Sequence, residues 1–228
     1  KELKLQKEVY EKSCKILWEE APFTLMSLNN LAGVYSELGR YEKTLELNKE
    51  VYEKRCKVLG EEHPDTLTSL NNLAVTYNGL GKCETSLELH EEVYEKRCKV
   101  LGEEHPDTLI SLNNLAVTYN GLGKYEKSLE LYKEVYEKCY KVLGKEHPKT
   151  LKNLNNLAWL YSECGNYEKS LELYKEVYEK SCKVWGEENP KTLMILRNLA
   201  VAYGNVGKYE KSLEMYKLAY AKQWERSS

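Results

Sequence analysis

Cysteine and histidine are the residues of this chain that could hold a metal ion. One set of cysteines recurs at a fixed position of a repeated pattern: Cys14, Cys56, Cys98 and Cys182. Three histidines each precede a proline: His63, His105 and His147. Each repeat supplies one such residue, and packed helices lie about 8–10 Å apart, whereas a zinc–sulfur bond measures about 2.3 Å. We therefore expect packing cysteines and turn or helix-capping histidines, with no metal site and no cofactor.

Cys83 and His90 are the pair that could act as nucleophile and base, because seven positions along a helix bring them to one face. Such a pair needs hydrogen-bond reach and a third group that orients the base. The sequence offers no such group, and Cys83 stands where the next repeat has Tyr125, at a packing position. We therefore predict no catalytic residue and no enzymatic activity.

Adjacent asparagines recur in the motif LNNLA. The pairs are Asn29–Asn30, Asn71–Asn72, Asn113–Asn114 and Asn155–Asn156, and the last copy reads Arg197–Asn198. Asparagine is a mediocre helix former, so its repetition inside a helix requires a reason. A carboxamide both donates and accepts hydrogen bonds, so a row of them could bind the backbone of an extended peptide or hold the repeats in register. Either one member of each pair serves each role, or both serve the stack.

Composition limits the classes of partner. The 228 residues carry a formal net charge of −2, and the 31% of charged residues are of mixed sign, which excludes the concentrated basic surface that nucleic acid requires. No apolar run approaches the about 18 residues of a membrane span. The seven cysteines include no C-x-x-C pair, so free thiols in a reducing, cytoplasmic compartment are expected. The chain does not begin with Met, and we expect it to be a segment of a longer protein.

A 42-residue repeat organises the chain, as the spacing of its prolines shows. Residues 50–82 match residues 92–124 at every position except Thr68, which is Ile110 in the second copy. Within a repeat, Pro64 suits a helix start and Gly81 a helix end. Apolar residues between them fall at three- and four-residue steps, and the same holds after Gly81, so each repeat predicts two helices.

A helix pair of this size buries both its faces only when copies stack on each other. The sequence therefore predicts an all-α solenoid of stacked antiparallel helix pairs. We expect residues 1–228 to form a single array that begins with a lone helix at 1–18. The predicted repeats are 22–60, 64–102, 106–144, 148–186 and 190–226.

The segment NNLAVTYNGLGKYEKSLELYKEVYEK resembles the tetratricopeptide repeat. The small residue and the aromatic of its first helix occur here as Ala74 and Tyr77, Ala116 and Tyr119, Ala158 and Tyr161. In the second helix, Asn48 and His90 stand where later repeats have the expected aromatic. The 42-residue form with LGEEHPDTLTSLNNLA is similar to the repeats of kinesin light chain. The resemblance implies a right-handed superhelix, a concave groove lined by the first helices, a protein or linear-peptide partner and no catalysis.

Carried onto this sequence, the resemblance assigns two sets of residues. The positions expected to face a peptide in the groove are Asn29, Asn71, Asn113, Asn155, Arg197, Val75, Asn78, Val117, Asn120, Lys152, Trp159 and Val201. Those expected to pack the repeats are Asn30, Asn72, Asn114, Asn156, Asn198, Ala74, Tyr77, Ala116, Tyr119, Ala158 and Tyr161. Lys152 and Arg197 add positive charge and Trp159 an aromatic surface, so the expected ligand is an acidic peptide that contains an aromatic residue.

A second interpretation treats the chain as a structural, or a designed or consensus-like, repeat array that self-associates end to end and has no natural groove ligand. The last predicted helix still carries apolar residues, among them Leu213, Tyr216 and Tyr220. Solenoids usually close with a polar capping helix. End-to-end self-association would cover this surface.

Overall fold

A computed structural model describes residues 2–225, and within that range it contains eleven α-helices and no strand. The helices are α1 Glu2–Ile16, α2 Pro22–Glu37, α3 Tyr41–Leu59, α4 Pro64–Gly79, α5 Cys83–Leu101, α6 Pro106–Gly121, α7 Tyr125–Leu143, α8 Pro148–Glu163, α9 Tyr167–Trp185, α10 Pro190–Asn205 and α11 Tyr209–Glu225. The all-α class, built of consecutive packed helices, is confirmed. Lys1, Arg226 and Ser228, at which predicted ranges begin or end, lie outside the described residues. Even-numbered helices are called first helices below, and odd-numbered ones second helices.

Local signals explain where the first helices begin and end. Pro64 opens α4, and the preceding His63 caps it, because its Nδ1 accepts a hydrogen bond from the backbone N–H of Asp65 at 3.1 Å. His105 and His147 cap α6 and α8 in the same way, which confirms the capping role predicted for these histidines. After α4, Gly81 adopts a φ of +73°, a left-handed conformation that side chains other than glycine rarely tolerate.

The described chain divides into two compact units, and each is treated separately. Unit 1 runs to Gly123 and contains α1–α6. Its core is aliphatic, with Leu28 and Val51 buried in one cluster and Leu70 and Val93 in another. Neighbouring helices are antiparallel, because the Ser86 hydroxyl near the start of α5 donates to a carbonyl in the second half of α4 at 2.8 Å.

Unit 2 begins at Lys124 and contains α7–α11. Its buried side chains are mainly aliphatic, including Leu154, Val177 and Leu196, with Tyr132 and Tyr174 also buried. The Thr192 hydroxyl on α10 donates to a carbonyl near the end of α9 at 3.4 Å. A second helix therefore packs against the first helix that follows it, as stacking of repeats requires, and in unit 1 the helix α3 packs against α4 in the same way.

The recurring cysteines are not core residues, which corrects the packing role expected for them. Cys56, Cys98 and their counterparts are half-buried. The fully inward position lies one residue earlier, about 100° round the helix, where Ser13, Arg97 and Ser181 are buried. The cysteine in the core is Cys139, which occupies that earlier position and accepts a hydrogen bond from Asn153 Nδ2 at 3.1 Å.

Arg97 shows how polar groups fill this inward position in unit 1. Its side chain is 3% exposed. One guanidinium nitrogen donates to the carbonyl of Asp107 at 2.9 Å and to the Ser111 hydroxyl at 2.8 Å, and the other donates to Thr68 Oγ1 at 3.0 Å. Arg55 makes the first two of these contacts one repeat earlier, with Asp65 and Ser69. Burial lowers the pKa of Arg97, yet the hydrogen bonds tie it to two first helices.

Candidate functional site

The first helices expose one face to solvent in both units. On α2, residues Met26, Asn30, Gly33 and Glu37 are exposed at steps of four, three and four, so they lie along one side of the helix. The equivalent positions of α4, α6, α8 and α10 are exposed or half-buried. We call these positions, with the side chains that flank them, the first-helix face of each unit.

The predicted groove residues differ in how far they reach this face. The exposed ones are Val75 and Val117 in unit 1 and Lys152, Trp159 and Val201 in unit 2. The half-buried ones are Asn29, Asn78, Asn113 and Asn120 in unit 1 and Asn155 and Arg197 in unit 2. Asn71 is buried, with 9% of its surface exposed. The second asparagine is thus the more exposed member of the first two pairs, since Asn30 is exposed and Asn72 half-buried.

The paired asparagines bond to one another across repeats. In unit 1, Asn72 Nδ2 donates to Asn29 Oδ1 at 2.8 Å, and Asn114 Nδ2 donates to Asn71 Oδ1 at 2.9 Å. In unit 2, Asn198 Nδ2 donates to Asn155 Oδ1 at 3.1 Å. Each bond joins the second asparagine of one repeat to the first asparagine of the preceding one. In these three contacts both members therefore hold the stack, and the first retains its NH₂ group for other contacts, whereas Asn113 Oδ1 is buried without a partner in the described chain.

The other predicted packing residues divide into two kinds. The alanines Ala74, Ala116 and Ala158 are completely buried. The tyrosines Tyr77, Tyr119 and Tyr161 are half-buried and meet polar partners at the edge of the packing. Lys82 and Lys133 lie over the rings of Tyr77 and Tyr161, at 5.9 and 5.6 Å from the centroids, and the Tyr119 hydroxyl donates to Glu91 at 2.7 Å.

A cavity of about 330 Å³ opens beside the first-helix face of unit 2, where α8 and α10 begin and α9 ends. Its walls are mainly apolar and include Trp185, Leu151, Met194 and Ile195. Lys149, Lys152 and Lys191 also line it. The ammonium group of Lys191 lies 5.3 Å from the centroid of the Trp185 ring. The cavity therefore combines an apolar surface with three positive charges.

These lining residues are the ones in which unit 2 departs from the repeat. Lys149 and Lys191 occupy the position of Asp65 and Asp107, Trp185 that of Leu101, and Ile195 that of Ser111. Lys152 was predicted from the sequence, but Trp185, Lys149 and Lys191 were not, because the predicted site comprised only one face of the first helices. A comparison of the repeats at every position would have found them.

A smaller cavity of about 150 Å³ lies on the first-helix face of unit 1. Side-chain carboxamides, hydroxyls and small apolar groups line it: Asn29, Ala32, Gly33, Ser36, Thr44, Asn48, Asn72, Val75 and Thr76. None of these lining residues is charged. It can therefore offer hydrogen bonds but no ion pair.

His90 and Cys83 show no catalytic arrangement. His90 is 2% exposed, burial lowers its pKa to about 4, and its Nδ1 has no hydrogen-bond partner within the described chain. The Cys83 thiol instead contacts Asn78 Oδ1 at 3.7 Å. A search of residues 2–225 finds no group of three cysteine, histidine or carboxylate side chains that could hold a metal ion. Nor does that part of the chain contain a helix long and apolar enough to cross a membrane.

Comparisons with known proteins agree with this architecture. The family model described as tetratricopeptide repeat matches residues 23–99, 80–139, 107–183 and 165–222. The crystal structure of a Podosopora anserina protein, described as kinesin light chain-like with nearly identical TPR-like repeats, is 31% identical over 89% of this chain and 96% of its own, with a TM-score of 0.78. A substituted variant of the same protein gives 0.79 with the same coverage.

More distant structures share the fold alone. BtubC from P. vanneervenii, also called BKLC, is 18% identical over all of this chain and 91% of its own, with a TM-score of 0.84. A search of curated proteins finds no match. Proteins built from such repeats are in general interaction scaffolds without catalysis. The family model and the Podosopora structure together show that this chain belongs to the tetratricopeptide repeat family, in the 42-residue form similar to kinesin light chain.

Proposed function

We propose that this chain is a non-catalytic scaffold that binds an extended acidic peptide containing an aromatic residue along its first-helix face, the concave groove of the family. The observation that carries the proposal is the apolar cavity of unit 2 with three lysines in its lining. An aromatic side chain suits the wall made by Trp185 and Met194. Carboxylates on either side of it would meet the lysines, and a complementary charge raises both specificity and the rate of association.

The hydrogen bonds between asparagines of successive repeats, called the asparagine ladder below, support a groove that is formed before a ligand binds. Asn29 and Asn155 each accept a bond from the stack through the carbonyl oxygen, and their NH₂ groups remain for a peptide. These groups can donate to backbone carbonyls of an extended chain whatever its sequence. In this proposal the carboxamides contribute affinity, and the lysines and aromatic residues contribute selectivity. The protein works in the cytoplasm, where its seven cysteines, which form no disulfide within the described chain, stay reduced.

The test is selection from a random peptide library on the wild-type chain and on matched variants. A triple variant, Lys149→Asp, Lys152→Thr and Lys191→Asp, carries at each position a residue that the same chain has one or two repeats earlier. We expect the wild type to enrich acidic peptides with one aromatic residue, and the triple variant to lose the acidic preference. Enrichment of the same peptides on both proteins would refute the proposal.

A second variant separates the two parts of the motif. Trp185→Leu introduces the residue found at Leu101 and keeps all three lysines. We expect it to retain the acidic preference and lose the aromatic one. Circular dichroism of each variant shows whether the helices are intact. These changes avoid the asparagines, whose removal would disturb the stack as well as any binding.

End-to-end self-association is the second candidate, and one observation favours it. Leu213 on α11 is 55% exposed, whereas Leu171 at the equivalent position of α9 is 6% exposed. Tyr220 on the same helix is 68% exposed. The candidate predicts that light scattering reports a mass that rises with concentration, and that Leu213→Lys with Tyr220→Lys abolishes the rise. A constant monomer mass over a hundredfold range of concentration would exclude it.

A further inference from the structure

The cavity on the first-helix face of unit 1 exists because two facing residues are small. Gly33 stands where the next repeat has Val75, and a Cβ atom added at Gly33 would meet nothing within 4 Å. Asn48 stands where later repeats have Tyr132 and Tyr174. The first repeat therefore carries a smaller side chain at both positions, which leaves a space of about 150 Å³.

The polar atoms of this cavity have a fixed orientation. Asn48 Nδ2 donates to Thr76 Oγ1 at 3.0 Å and to the backbone carbonyl of Asn72 at 3.5 Å. Because that carbonyl can only accept, the nitrogen must point toward it and the oxygen away from it. Asn48 is 5% exposed, and no donor in the described chain reaches its Oδ1, although this oxygen keeps contact with solvent.

Asn29 supplies the complementary group. Its Oδ1 accepts from Asn72 Nδ2 at 2.8 Å, which leaves its NH₂ group without an acceptor within residues 2–225. The cavity thus presents an acceptor on Asn48 and a donor on Asn29, beside the Ser36 hydroxyl, which can do both, and the Asn72 carboxamide oxygen, and its lining contains no charge. A buried polar group favours a ligand that completes its hydrogen bonds and disfavours one that cannot.

We propose that this cavity binds the side-chain carboxamide of a glutamine or asparagine in the peptide that occupies the groove. A primary carboxamide carries a donor and an acceptor on one group, and so matches both the acceptor of Asn48 and the donor of Asn29. A cavity of about 150 Å³ can hold a benzene-sized molecule, and a glutamine side chain has fewer heavy atoms than benzene. A carboxylate has no N–H group to donate to Asn48 Oδ1. It would also lose its hydration in the cavity, where no cation compensates for the loss.

The pocket deepens the proposed function and rests on it for its occupant, a side chain of the bound peptide. It is tested separately with a small molecule, so the two can fail independently. The probe is Nα-acetyl-glutamine N-methylamide, added to ¹⁵N-labelled protein while the side-chain NH₂ signals of Asn29 and Asn48 are followed by NMR. The corresponding glutamate and methionine compounds, of similar length, serve as controls.

We expect saturable shifts of both signals with the glutamine compound, and affinities at least about tenfold weaker for the two controls, the effect of one or two lost hydrogen bonds. Gly33→Val and Asn48→His, which introduce the residues of Val75 and His90, should also weaken the glutamine compound about tenfold or more. Met26→Thr, which copies Thr68 at an exposed position outside the cavity, should leave binding unchanged.

Three results would overturn the pocket. The first is no saturable shift, which would mean that water alone fills the cavity. The second is an equal response to the glutamate compound, and the third is wild-type affinity in Gly33→Val. Peptides that are selected through the lysines of unit 2 but ignore Gly33→Val would reject the pocket and keep the proposed function. Binding of the glutamine compound without any selected peptide would do the reverse.

Discussion

His90 predicts a specific acid sensitivity of unit 1. Its imidazole is 2% exposed, and burial lowers its pKa from 6.5 to about 4. As the pH falls, the unfolded chain gains the proton first, while the folded chain keeps His90 neutral. Between about pH 6.5 and pH 4 the unfolded state therefore binds more protons, and the free energy of unfolding decreases.

The size of the effect follows from the two pKa values. One pKa unit corresponds to about 1.4 kcal/mol, so the full shift amounts to about 3 kcal/mol. From pH 7 to pH 5 the loss is about 2 kcal/mol, because most of the unfolded chains carry the proton at pH 5 and few folded ones do. For an m-value of about 2 kcal/mol per molar urea, the midpoint would move by about 1 M.

The assay is urea unfolding followed by circular dichroism at pH 7, 6 and 5, with His90→Asn as the comparison. An asparagine already occupies the equivalent position one repeat earlier, where Asn48 donates to Thr76 Oγ1 at 3.0 Å. Thr118 lies at the same position relative to His90, and its hydroxyl bonds the carbonyl of its own helix at 3.0 Å as Thr76 does at 2.7 Å. The variant should therefore fold normally and lack the acid-dependent term.

The difference between the two proteins decides the result, because all other titrating groups are common to both. His105→Asn is the control for loss of a histidine, since the His105 side chain is 40% exposed and Asn189 already caps α10 at the same position. The pH dependence that His90→Asn removes should exceed any that this control removes. Parallel stability curves for the wild type and His90→Asn between pH 7 and pH 5 would refute the reasoning.

Three further tests, made with five substitutions, address the packing that supports the candidate site, each by the free energy of unfolding in urea. Asn72→Ala removes a bond across the stack and should cost about 1 kcal/mol, whereas Asn30→Ala, at the exposed counterpart in the first repeat, should cost almost nothing; equal costs would contradict the ladder. Arg97→Ser, which introduces the residue that other repeats carry there, removes three hydrogen bonds and should cost about 2–3 kcal/mol, and a neutral result would mean that the buried guanidinium stabilises nothing. Leu171→Lys should cost about 3 kcal/mol or more, because it buries a charge, while Leu213→Lys should change stability by less than about 0.5 kcal/mol; similar losses would place Leu213 in a covered interface.

The helices could be predicted from the sequence because their signals are local. Pro64 and Gly81 mark a start and an end that depend only on backbone chemistry. The apolar residues between them repeat at helical spacing, so the buried side of these helices could also be predicted. The burial of the recurring cysteines was predicted wrongly. Adjacent positions of a helix point about 100° apart, and the sequence pattern alone did not show that Arg97 rather than Cys98 faces the core.

The roles within each asparagine pair could be predicted only in part. The sequence indicated that the second member reaches across to a neighbouring repeat, but not that its acceptor is the first member of the preceding pair. Asn72 and Asn29 are 43 residues apart, and their bond depends on the register of two stacked helices. Register is fixed by the fit of many side chains between helices, which no local pattern records.

The sequence by itself determined the repeat, the helical class and the family, because period, proline, glycine and apolar spacing are properties of short segments. The tertiary structure decided where binding chemistry can occur. Trp185 and Lys149 come together from the end of one helix and the start of another, and Gly33 and Asn48 open a cavity only because their helices face each other. A cavity or a cluster of charges forms between two helices. It therefore depends on how the two helices pack, which neither segment of sequence determines alone.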